Sequence, residues 1–254
     1  MTNTESQRRV VVQPTDLDAA RFAARLFAEI AVEAVSARGM CRIALAGGTT
    51  PRSLYQILAR EAADGDMPWD RLAVFFGDER AVPHDHPDSN YGMAQRELLD
   101  HVPVPIENIS PMPADAADLK AAAESYEQAI RREIPADEDG VPRFDIILLG
   151  MGGDGHVASL FPNLPALEEG ERLVLSYDVP VTGRWRMTFT YPLINAARNV
   201  VMLVTGEDKA EAVSRLLTGG EEARQFPAAG VRPRRDGLLH LVLDAAAGRE
   251  AGLR

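Results

Sequence analysis

The chain has 254 residues, of which 46% are hydrophobic and 26% charged, a composition typical of globular proteins and sufficient for one large α/β domain or two small ones. The formal net charge of −11 argues against a nucleic-acid-binding protein, because contacts with phosphate backbones need an excess of clustered Lys and Arg. A single cysteine, Cys41, excludes an internal disulfide framework and is compatible with a reducing compartment.

The N-terminal stretch superficially resembles a secretory signal, since Arg8 and Arg9 precede three valines. Gln13 and Pro14 end this apolar run far short of a signal core. No stretch approaches the roughly 20 apolar residues that span a bilayer. We therefore expect a cytoplasmic protein that is not bound to a membrane.

The first predicted elements are a strand at Val10 to Val12 and a long amphipathic helix. Thr15 and Asp18 resemble a capping box at the start of this helix, and Gly39 suits its end. Apolar residues recur at helical spacing between these caps, which predicts a packing element with a solvated charged face.

The second predicted strand, Ile43 to Ala46, runs into Gly47-Gly48-Thr49-Thr50-Pro51. Thr50 suits the cap of a helix whose first position is Pro51. A Gly-Gly turn before a helix presents free backbone N–H groups and the positive end of the helix dipole, which together favour an anion. The dipole supplies only about 0.3–1 kcal/mol when exposed, so a phosphate would also need cationic side chains. A plain strand-to-helix turn is the alternative.

The third predicted strand, Leu72 to Phe76, ends in Gly77-Asp78-Glu79-Arg80, and Ser89 suits the cap of the helix that follows. Two nearby histidines, His84 and His86, suggest a metal site. Zinc sites usually need three or four clustered ligands, and no others follow at suitable spacing. We therefore predict no metal site.

The most informative stretch is Asp145 to Phe161, DIILLGMGGDGHVASLF. Ile146 to Leu149 has the composition of a strand buried on both faces of a parallel sheet. A glycine-rich loop follows and carries Asp154 and His156 where a strand should end, and ligands bind at such ends in open α/β sheets. A tight turn with a capping Asp154 and a solvated His156 is the alternative. The imidazole favours a function, because it takes and returns protons near neutral pH.

Strand and helix patterns alternate through the rest of the chain. Further strands are predicted at Leu173 to Leu175, Arg186 to Thr190, Val200 to Val204 and Leu238 to Leu243, and further helices at Leu119 to Ile130 and Ala210 to Leu217. Loops are predicted at Asp64 to Asp70, Pro103 to Pro113 and Gly219 to Asp236. This alternation predicts one α/β domain, residues 1–254, with an open, parallel-rich, Rossmann-like sheet and helices on both faces.

Three strand-end stretches together carry a family resemblance. They are AGGTTP at Ala46 to Pro51, FFGDERAVPHDHPDSNYGM at Phe75 to Met93 and LLGMGGDGHVASLFP at Leu148 to Pro162. The chain closely resembles 6-phosphogluconolactonases, enzymes of the pentose phosphate pathway that are related in fold to glucosamine-6-phosphate deaminases. It departs from that pattern at Asn163, where glycine is usual, and asparagine tolerates a left-handed backbone.

The resemblance implies that water attacks C1 of 6-phospho-D-glucono-1,5-lactone, a cyclic ester, to give 6-phosphogluconate. His156 resembles the general base of this family, with Asp154 and Asp78 as orienting carboxylates. One carboxylate is expected to hold the imidazole tautomer and the other to bind sugar hydroxyls, and the sequence leaves open which. The oxyanion donors are the backbone N–H groups of either Gly47-Gly48 or Gly152-Gly153. No metal or cofactor is implied.

The same resemblance implies a local basic pocket for the 6-phosphate in this acidic protein. Arg80 is a further cation there, as a phosphate ligand or as a partner of Asp78 or Glu79, whereas Arg184 is expected to be a surface arginine. Asn90 either binds the substrate or braces its loop. The residues implied in phosphate binding are Gly47, Gly48, Thr49, Arg186 and Lys209.

Two other functions share parts of this pattern. A glucosamine-6-phosphate deaminase pairs the equivalent histidine with a glutamate shortly after it, but Ser159, Leu160 and Phe161 carry no carboxylate. A non-catalytic sugar-phosphate sensor needs a DNA-reading helix-turn-helix, and only about forty charge-balanced residues precede Ile43. We expect a small sugar phosphate as the ligand, no nucleic acid, and a monomer or weak dimer.

Overall fold

The computed structural model describes residues 7–61, 67–220, 222 and 224–253, so part of the loop predicted at Asp64 to Asp70 lies outside the described residues. The strands are β1 (Arg8–Gln13), β2 (Cys41–Leu45), β3 (Leu72–Phe76), β4 (Asp78–Arg80), β5 (Ile146–Leu149), β6 (Val174–Val179), β7 (Arg184–Phe189), β8 (Asn199–Val204) and β9 (Leu238–Asp244). The α-helices are α1 (Asp16–Arg38), α2 (Thr49–Glu61), α3 (Asn90–Glu97), α4 (Leu119–Glu133), α5 (Tyr191–Ile194), α6 (Ala210–Thr218) and α7 (Ala245–Gly248).

The main sheet has six parallel strands in the order β1-β9-β8-β5-β2-β3. The chain moves outward from β2 to β3 and then returns to β5 on the other side of β2. The strand order therefore reverses between β2 and β5. In open α/β sheets the crevice at such a switch point, beyond the carboxyl ends of the strands, is where ligands bind.

Both faces of this sheet are covered. All residues of β5 are buried, as are Val200 to Val204 of β8, and successive strand residues point to opposite faces. Helices α1 and α2 pack against each other. Because the strand order reverses, right-handed crossovers place α4 and α6 on the face opposite to α1 and α2. The prediction of a parallel-rich α/β fold with helices on both faces is confirmed.

The predicted helix ends follow local chemistry. The Thr15 side chain accepts a hydrogen bond from the Asp18 backbone N–H at 3.1 Å, and Gly39 ends α1 in the left-handed region with a φ of 75°. Ser89 caps α3 by accepting from the Gly92 N–H at 3.0 Å. Helix α2 begins at Thr49, one residue before its predicted cap.

A second sheet, which the sequence did not predict, has three antiparallel strands in the order β4-β7-β6. The predicted strands near 173–175 and 186–190 pair with each other here instead of entering the main sheet, because the short turn at Pro180–Thr182 returns the chain directly. The rings of Phe144 and Phe189, 5.4 Å apart, help to join both sheets in one buried core. Within the described ranges no helix is both long and apolar enough to cross a membrane.

Candidate active site

A cleft of about 370 Å³ lies at the carboxyl ends of β2 and β5, the switch point of the main sheet. The second sheet contributes the remaining walls through β4 and β7. The cleft therefore brings together residues that are far apart in the chain. The predicted site residues that line it are Gly47, Gly48, Thr49, Asp78, Arg80, His156, Arg186 and Lys209.

Asp154 does not line the cleft but holds the imidazole that does. Its Oδ1 lies 2.6 Å from Nδ1 of His156 and also accepts the backbone N–H of His156 at 3.1 Å. Partial burial raises the pKa of Asp154, but the His156 backbone bond and the imidazole outweigh burial and hold this pKa below its usual value. An ionised Asp154 keeps a proton on Nδ1 and leaves Nε2 free to accept one. Asp154, rather than Asp78, is thus the carboxylate that orients the ring.

The glycines of this loop permit the close packing of the His156–Asp154 pair. A Cβ on Gly152 would lie 2.1 Å from Nδ1 of His156, and one on Gly155 would lie 2.4 Å from the ring of Phe226. The Gly152 N–H donates to the His156 carbonyl at 2.9 Å, so it is not available to an oxyanion, and Gly153 is not one of the residues that line the cleft. Of the two predicted sources of oxyanion donors, the geometry favours Gly47-Gly48.

Asp78, by contrast, is fixed by polar groups from two other elements. Its Oδ2 accepts from Ser159 Oγ at 2.7 Å, and its Oδ1 accepts from Asn90 Nδ2 at 3.1 Å. Asn90 Nδ2 also donates to the Asp78 carbonyl at 2.8 Å, so Asn90 braces the loop. Asp78 is only 7% exposed and lines the cleft, where a buried carboxylate can accept substrate hydroxyls. Sequence reasoning assigned no role to Ser159.

Glu79 is a buried structural carboxylate. It accepts hydrogen bonds from the backbone N–H groups of Asn90 and Tyr91, each at 2.8 Å, and from Ser89 Oγ at 3.0 Å. Burial raises the pKa of Glu79, and the hydrogen bonds from Tyr91 and Asn90 act in the opposite direction. Glu79 therefore connects β4 to the start of α3, and these hydrogen bonds use both of its carboxylate oxygens.

The two histidines of this loop serve separate structural contacts. His84 Nε2 lies 3.1 Å from the Met112 carbonyl oxygen, and His86 Nδ1 accepts from the Asp88 N–H at 3.0 Å. In the part of the chain that the structure describes, no three His, Cys, Asp or Glu side chains gather in a way that would hold a metal ion.

Two guanidinium groups face each other across the second sheet. Arg80 on β4 is the register partner of Arg186 on β7, and the Nε atom of each is buried without a hydrogen-bond partner. Like charges directly opposite each other on neighbouring strands are destabilising. Burial also lowers the pKa of Arg186. An anion in the cleft would offset both the repulsion between the two guanidinium groups and the cost of burying Arg186. Arg184, by contrast, is exposed and already forms an ion pair with Asp88.

Lys209 adds a third cation from the loop after β8. The buried carboxylate of Asp244 accepts the Gly206 N–H at 3.1 Å and the Ala247 N–H at 2.8 Å, which fixes the start of this loop. Lys209 Nζ pairs with the exposed Asp208 at 2.9 Å. A multiply charged anion can therefore draw Lys209 away from a solvent-screened partner at little cost.

The N-terminus of α2 completes the cleft. Gly48 has a φ of 101°, which only glycine adopts readily, and a Cβ on Gly47 would lie 1.7 Å from Oδ1 of Asn90. The first N–H groups of a helix have no partner within it, and those near Thr49 face the cleft together with the positive end of the helix dipole. The turn thus presents backbone donors to the cleft beside three cationic side chains.

Phe161 is a contact of His156 that sequence reasoning missed. The two rings are stacked with centroids 4.3 Å apart and planes inclined by 23°. An aromatic residue that follows apolar residues is typical of a buried core position. Nothing in the sequence pattern indicates that the chain turns back so that this residue contacts the histidine. Asn163, just beyond, has a φ of 60°, the left-handed backbone that was expected of it.

Comparison with known proteins agrees with this geometry. The family model described as glucosamine-6-phosphate isomerases/6-phosphogluconolactonase matches residues 14–240. A 6-phosphogluconolactonase of Synechocystis is 45% identical over 85% of this chain and 87% of its own length. One of Streptomyces coelicolor is 40% identical over 96% of this chain and 94% of its own length.

Solved structures resemble the fold over nearly its whole length. The 6-phosphogluconolactonase of Trypanosoma brucei superposes with a TM-score of 0.79 at 30% identity and covers 95% of this chain and 97% of its own. A monomeric glucosamine-6-phosphate deaminase superposes with a TM-score of 0.78 at 23% identity, with 96% of this chain and 98% of its own covered, and shares the fold.

Proposed function

This chain belongs to the glucosamine-6-phosphate isomerase/6-phosphogluconolactonase family, and we propose that it hydrolyses 6-phospho-D-glucono-1,5-lactone to 6-phospho-D-gluconate in the oxidative pentose phosphate pathway. Relatives of that name cover most of the chain. The observation that carries the proposal is that one cleft holds both an oriented imidazole and a cluster of cations. A phosphorylated ester needs both.

The phosphate end of the substrate binds among the cations. Arg80 and Arg186 face each other across the second sheet, and Lys209 lies beside the same cleft. The N-terminus of α2, which begins at Thr49, adds backbone donors. Guanidinium groups suit phosphate because their planar N–H donors match its oxygens in pairs. Binding thus replaces repulsion between two half-buried cations with attraction to a shared dianion.

His156 acts as the general base at the other end. Asp154 keeps the Nδ1 proton in place, so Nε2 removes a proton from water as the water oxygen forms a bond to C1. The carbonyl π electrons move to its oxygen. When this tetrahedral intermediate collapses, the bond between C1 and the ring oxygen breaks, and the imidazolium returns its proton to the departing ring oxygen. Atoms, protons and charge balance without a cofactor.

Two further groups stabilise the reacting centre. The N–H groups of Gly47 and Gly48 stabilise the oxyanion, since the Gly152 N–H is already bonded and Gly153 does not line the cleft. Asp78, held by Ser159 and Asn90, accepts hydrogen bonds from sugar hydroxyls.

The chemistry of the site opposes the two alternative functions. A deaminase relay needs a carboxylate shortly after the histidine, but the Ser159 hydroxyl bonds to Asp78, Leu160 is fully buried, and Phe161 is apolar. A sugar-phosphate sensor needs the cations but has no use for an imidazole oriented by an ionised carboxylate. The cytoplasmic location and the monomeric or weakly dimeric state stay predictions that accompany this function.

A lactonase assay tests the proposal. Freshly made 6-phosphogluconolactone is mixed with the wild type and with His156→Ala, and acid release above the spontaneous rate is recorded. We expect kcat to fall by ~10²–10⁴-fold in the variant, the usual contribution of a positioned base. His101→Ala is the control, because His101 is exposed, lies outside the cleft lining and has its ring against the Arg96 carbonyl.

The same assay with unphosphorylated gluconolactone tests the cationic end. We expect kcat/KM to fall by at least ~100-fold, because the Nε atoms of Arg80 and Arg186 then stay without a hydrogen-bond partner and the repulsion between the two cations is not relieved. Equal rates on both lactones, or an unchanged His156→Ala variant, would contradict the proposed function.

A further inference from the structure

We propose that Phe161 is a positioning residue for His156, whose ring fixes the orientation of the imidazole and shields one face of it from water. The proposal rests on the function proposed above for His156. It adds to that function a residue outside the acid–base pair and outside the cationic end of the cleft.

The two contacts of His156 act in different directions. Asp154 holds the edge of the imidazole at Nδ1, 2.6 Å away. A single hydrogen bond at one edge still allows the ring to rotate through a small angle about its Cβ–Cγ bond. Phe161 lies against the face of the imidazole at 4.3 Å with an angle of 23° and so removes that rotation. The direction of Nε2 is then fixed by both contacts together.

The backbone places Phe161 there by a turn that sequence patterns do not indicate. Ala158 has a φ of 49°, in the left-handed region that non-glycine residues seldom adopt, and the Leu160 N–H donates to the Val157 carbonyl at 2.8 Å. This tight turn brings the chain back so that Phe161 meets His156. A strained backbone conformation of this kind persists only where the surrounding contacts hold it in place, and such conformations are concentrated at functional sites.

The surroundings that hold the turn come from the second sheet. The Ser159 N–H donates to Thr188 Oγ1 at 3.2 Å, and Ser159 Oγ donates to Asp78 Oδ2 at 2.7 Å. The Tyr177 hydroxyl donates to the Ser159 carbonyl. All three polar groups of Ser159 are therefore tied to strands β4, β6 and β7, and the stacked ring is held on a rigid base.

This arrangement suits a base that carries a proton for part of the cycle. An aromatic face attracts a cation laid against it, so Phe161 stabilises the imidazolium that forms when His156 takes a proton from water. Phe161 is 7% exposed, and its ring covers one face of the imidazole.

Phe161→Leu and Phe161→Tyr test the proposal on the full-length enzyme. Leucine fills much of the space without a flat face, and we expect kcat to fall by roughly 10- to 100-fold, as for a slightly misplaced catalytic group, with KM changed by less than about threefold. Tyrosine keeps the aromatic face, and we expect it to restore most of kcat. Phe27→Leu, a fully buried substitution in α1, controls for loss of core volume and should lower the melting temperature without a change in kcat.

NMR of the His156 ring protons supplies a readout that does not depend on activity. Stacking predicts an upfield ring-current shift that is lost in Phe161→Leu and kept in Phe161→Tyr. An unshifted resonance in the wild type, an unchanged kcat in Phe161→Leu, or equal losses of kcat in both variants overturns the proposal. If the wild type fails to hydrolyse the lactone while the ring-current shift is present, the proposed function fails and the stacking stands.

Discussion

The two sheets of this protein build the same cleft in different ways. The parallel sheet contributes loops that work through close approach of the backbone: Gly47 packs against Asn90, and Gly152 packs against His156. The antiparallel sheet contributes side chains, with Asp78 and two facing arginines on β4 and β7. The loop after β5 holds the imidazole, whereas β4 and β7 hold two of the three cations, so substitutions in the two places should alter different kinetic constants.

The largest expected effect comes from the loop of the parallel sheet. In Gly152→Ala the added Cβ would lie 2.1 Å from His156 Nδ1 and 2.6 Å from Asp154 Oδ1. The acid–base pair must separate, and we expect kcat on the lactone to fall by ~10²–10⁴-fold. The neighbouring Gly153→Ala is a matched control, because its Cβ would meet only the Asp208 carbonyl at an ordinary 3.7 Å. Equal activity of the two variants would show that the pair tolerates separation.

A smaller effect, on binding, is expected from the antiparallel sheet. Arg186→Gln removes a cation from the cleft, and we expect KM for the phosphorylated lactone to rise by ~10- to 100-fold, the worth of a charge-assisted hydrogen bond. Arg184→Gln, two residues earlier on the same strand, removes an exposed ion pair with Asp88 and should change KM by less than about threefold. If KM rose more in Arg184→Gln than in Arg186→Gln, Arg184 would be the phosphate-binding residue and this prediction would be wrong.

The third prediction concerns the stability of the parallel sheet away from the cleft. Burial, with a smaller effect of Arg9, lowers the pKa of His240 on β9 to about 4 from the usual 6.5. Between these pH values His240 is protonated in the unfolded chain but neutral in the folded chain. The free energy of unfolding therefore decreases as pH falls through this range. The loss between pH 7 and pH 5 should be about 2 kcal/mol.

Urea unfolding at both pH values measures this loss. In His240→Gln the side chain does not titrate and can still donate to Asn199 Oδ1, the present partner of His240 at 3.0 Å. The difference in unfolding free energy between pH 7 and pH 5 should shrink by about 2 kcal/mol. If the difference in unfolding free energy were as large in His240→Gln as in the wild type, the loss of stability in acid would come from other groups.

Sequence patterns identified most of the strands, because central strands such as β5 and β8 are apolar runs covered on both faces. The edge strand β1 is partly exposed and was identified from its three valines. They also identified the cap at Thr15 and the helix end at Gly39, where one side chain or one φ angle decides the outcome. They missed β4, since a strand of three residues has no periodicity of its own. They also missed the antiparallel pairing of β6 and β7, which depends on where a hairpin packs.

For the site, the sequence supplied the residue types and left their partners open. It named Asp154 and Asp78 as carboxylates near His156, and only the fold shows that Asp154 bonds to the ring while Asp78 bonds to Ser159. The fold likewise brings Phe161 onto the imidazole through the left-handed turn at Ala158. These contacts join residues whose backbone directions are set by distant strands.

The sequence by itself determined the class of fold, the two glycine turns and the histidine, because apolar periodicity, glycine and imidazole act through local chemistry. Tertiary structure alone decided which carboxylate orients the base, which arginines face each other and which aromatic ring covers the imidazole. The two arginines lie on separate strands, and the loop that carries Asp154, His156 and Phe161 is held to the second sheet through Ser159, so these contacts exist only after both sheets have packed around one core.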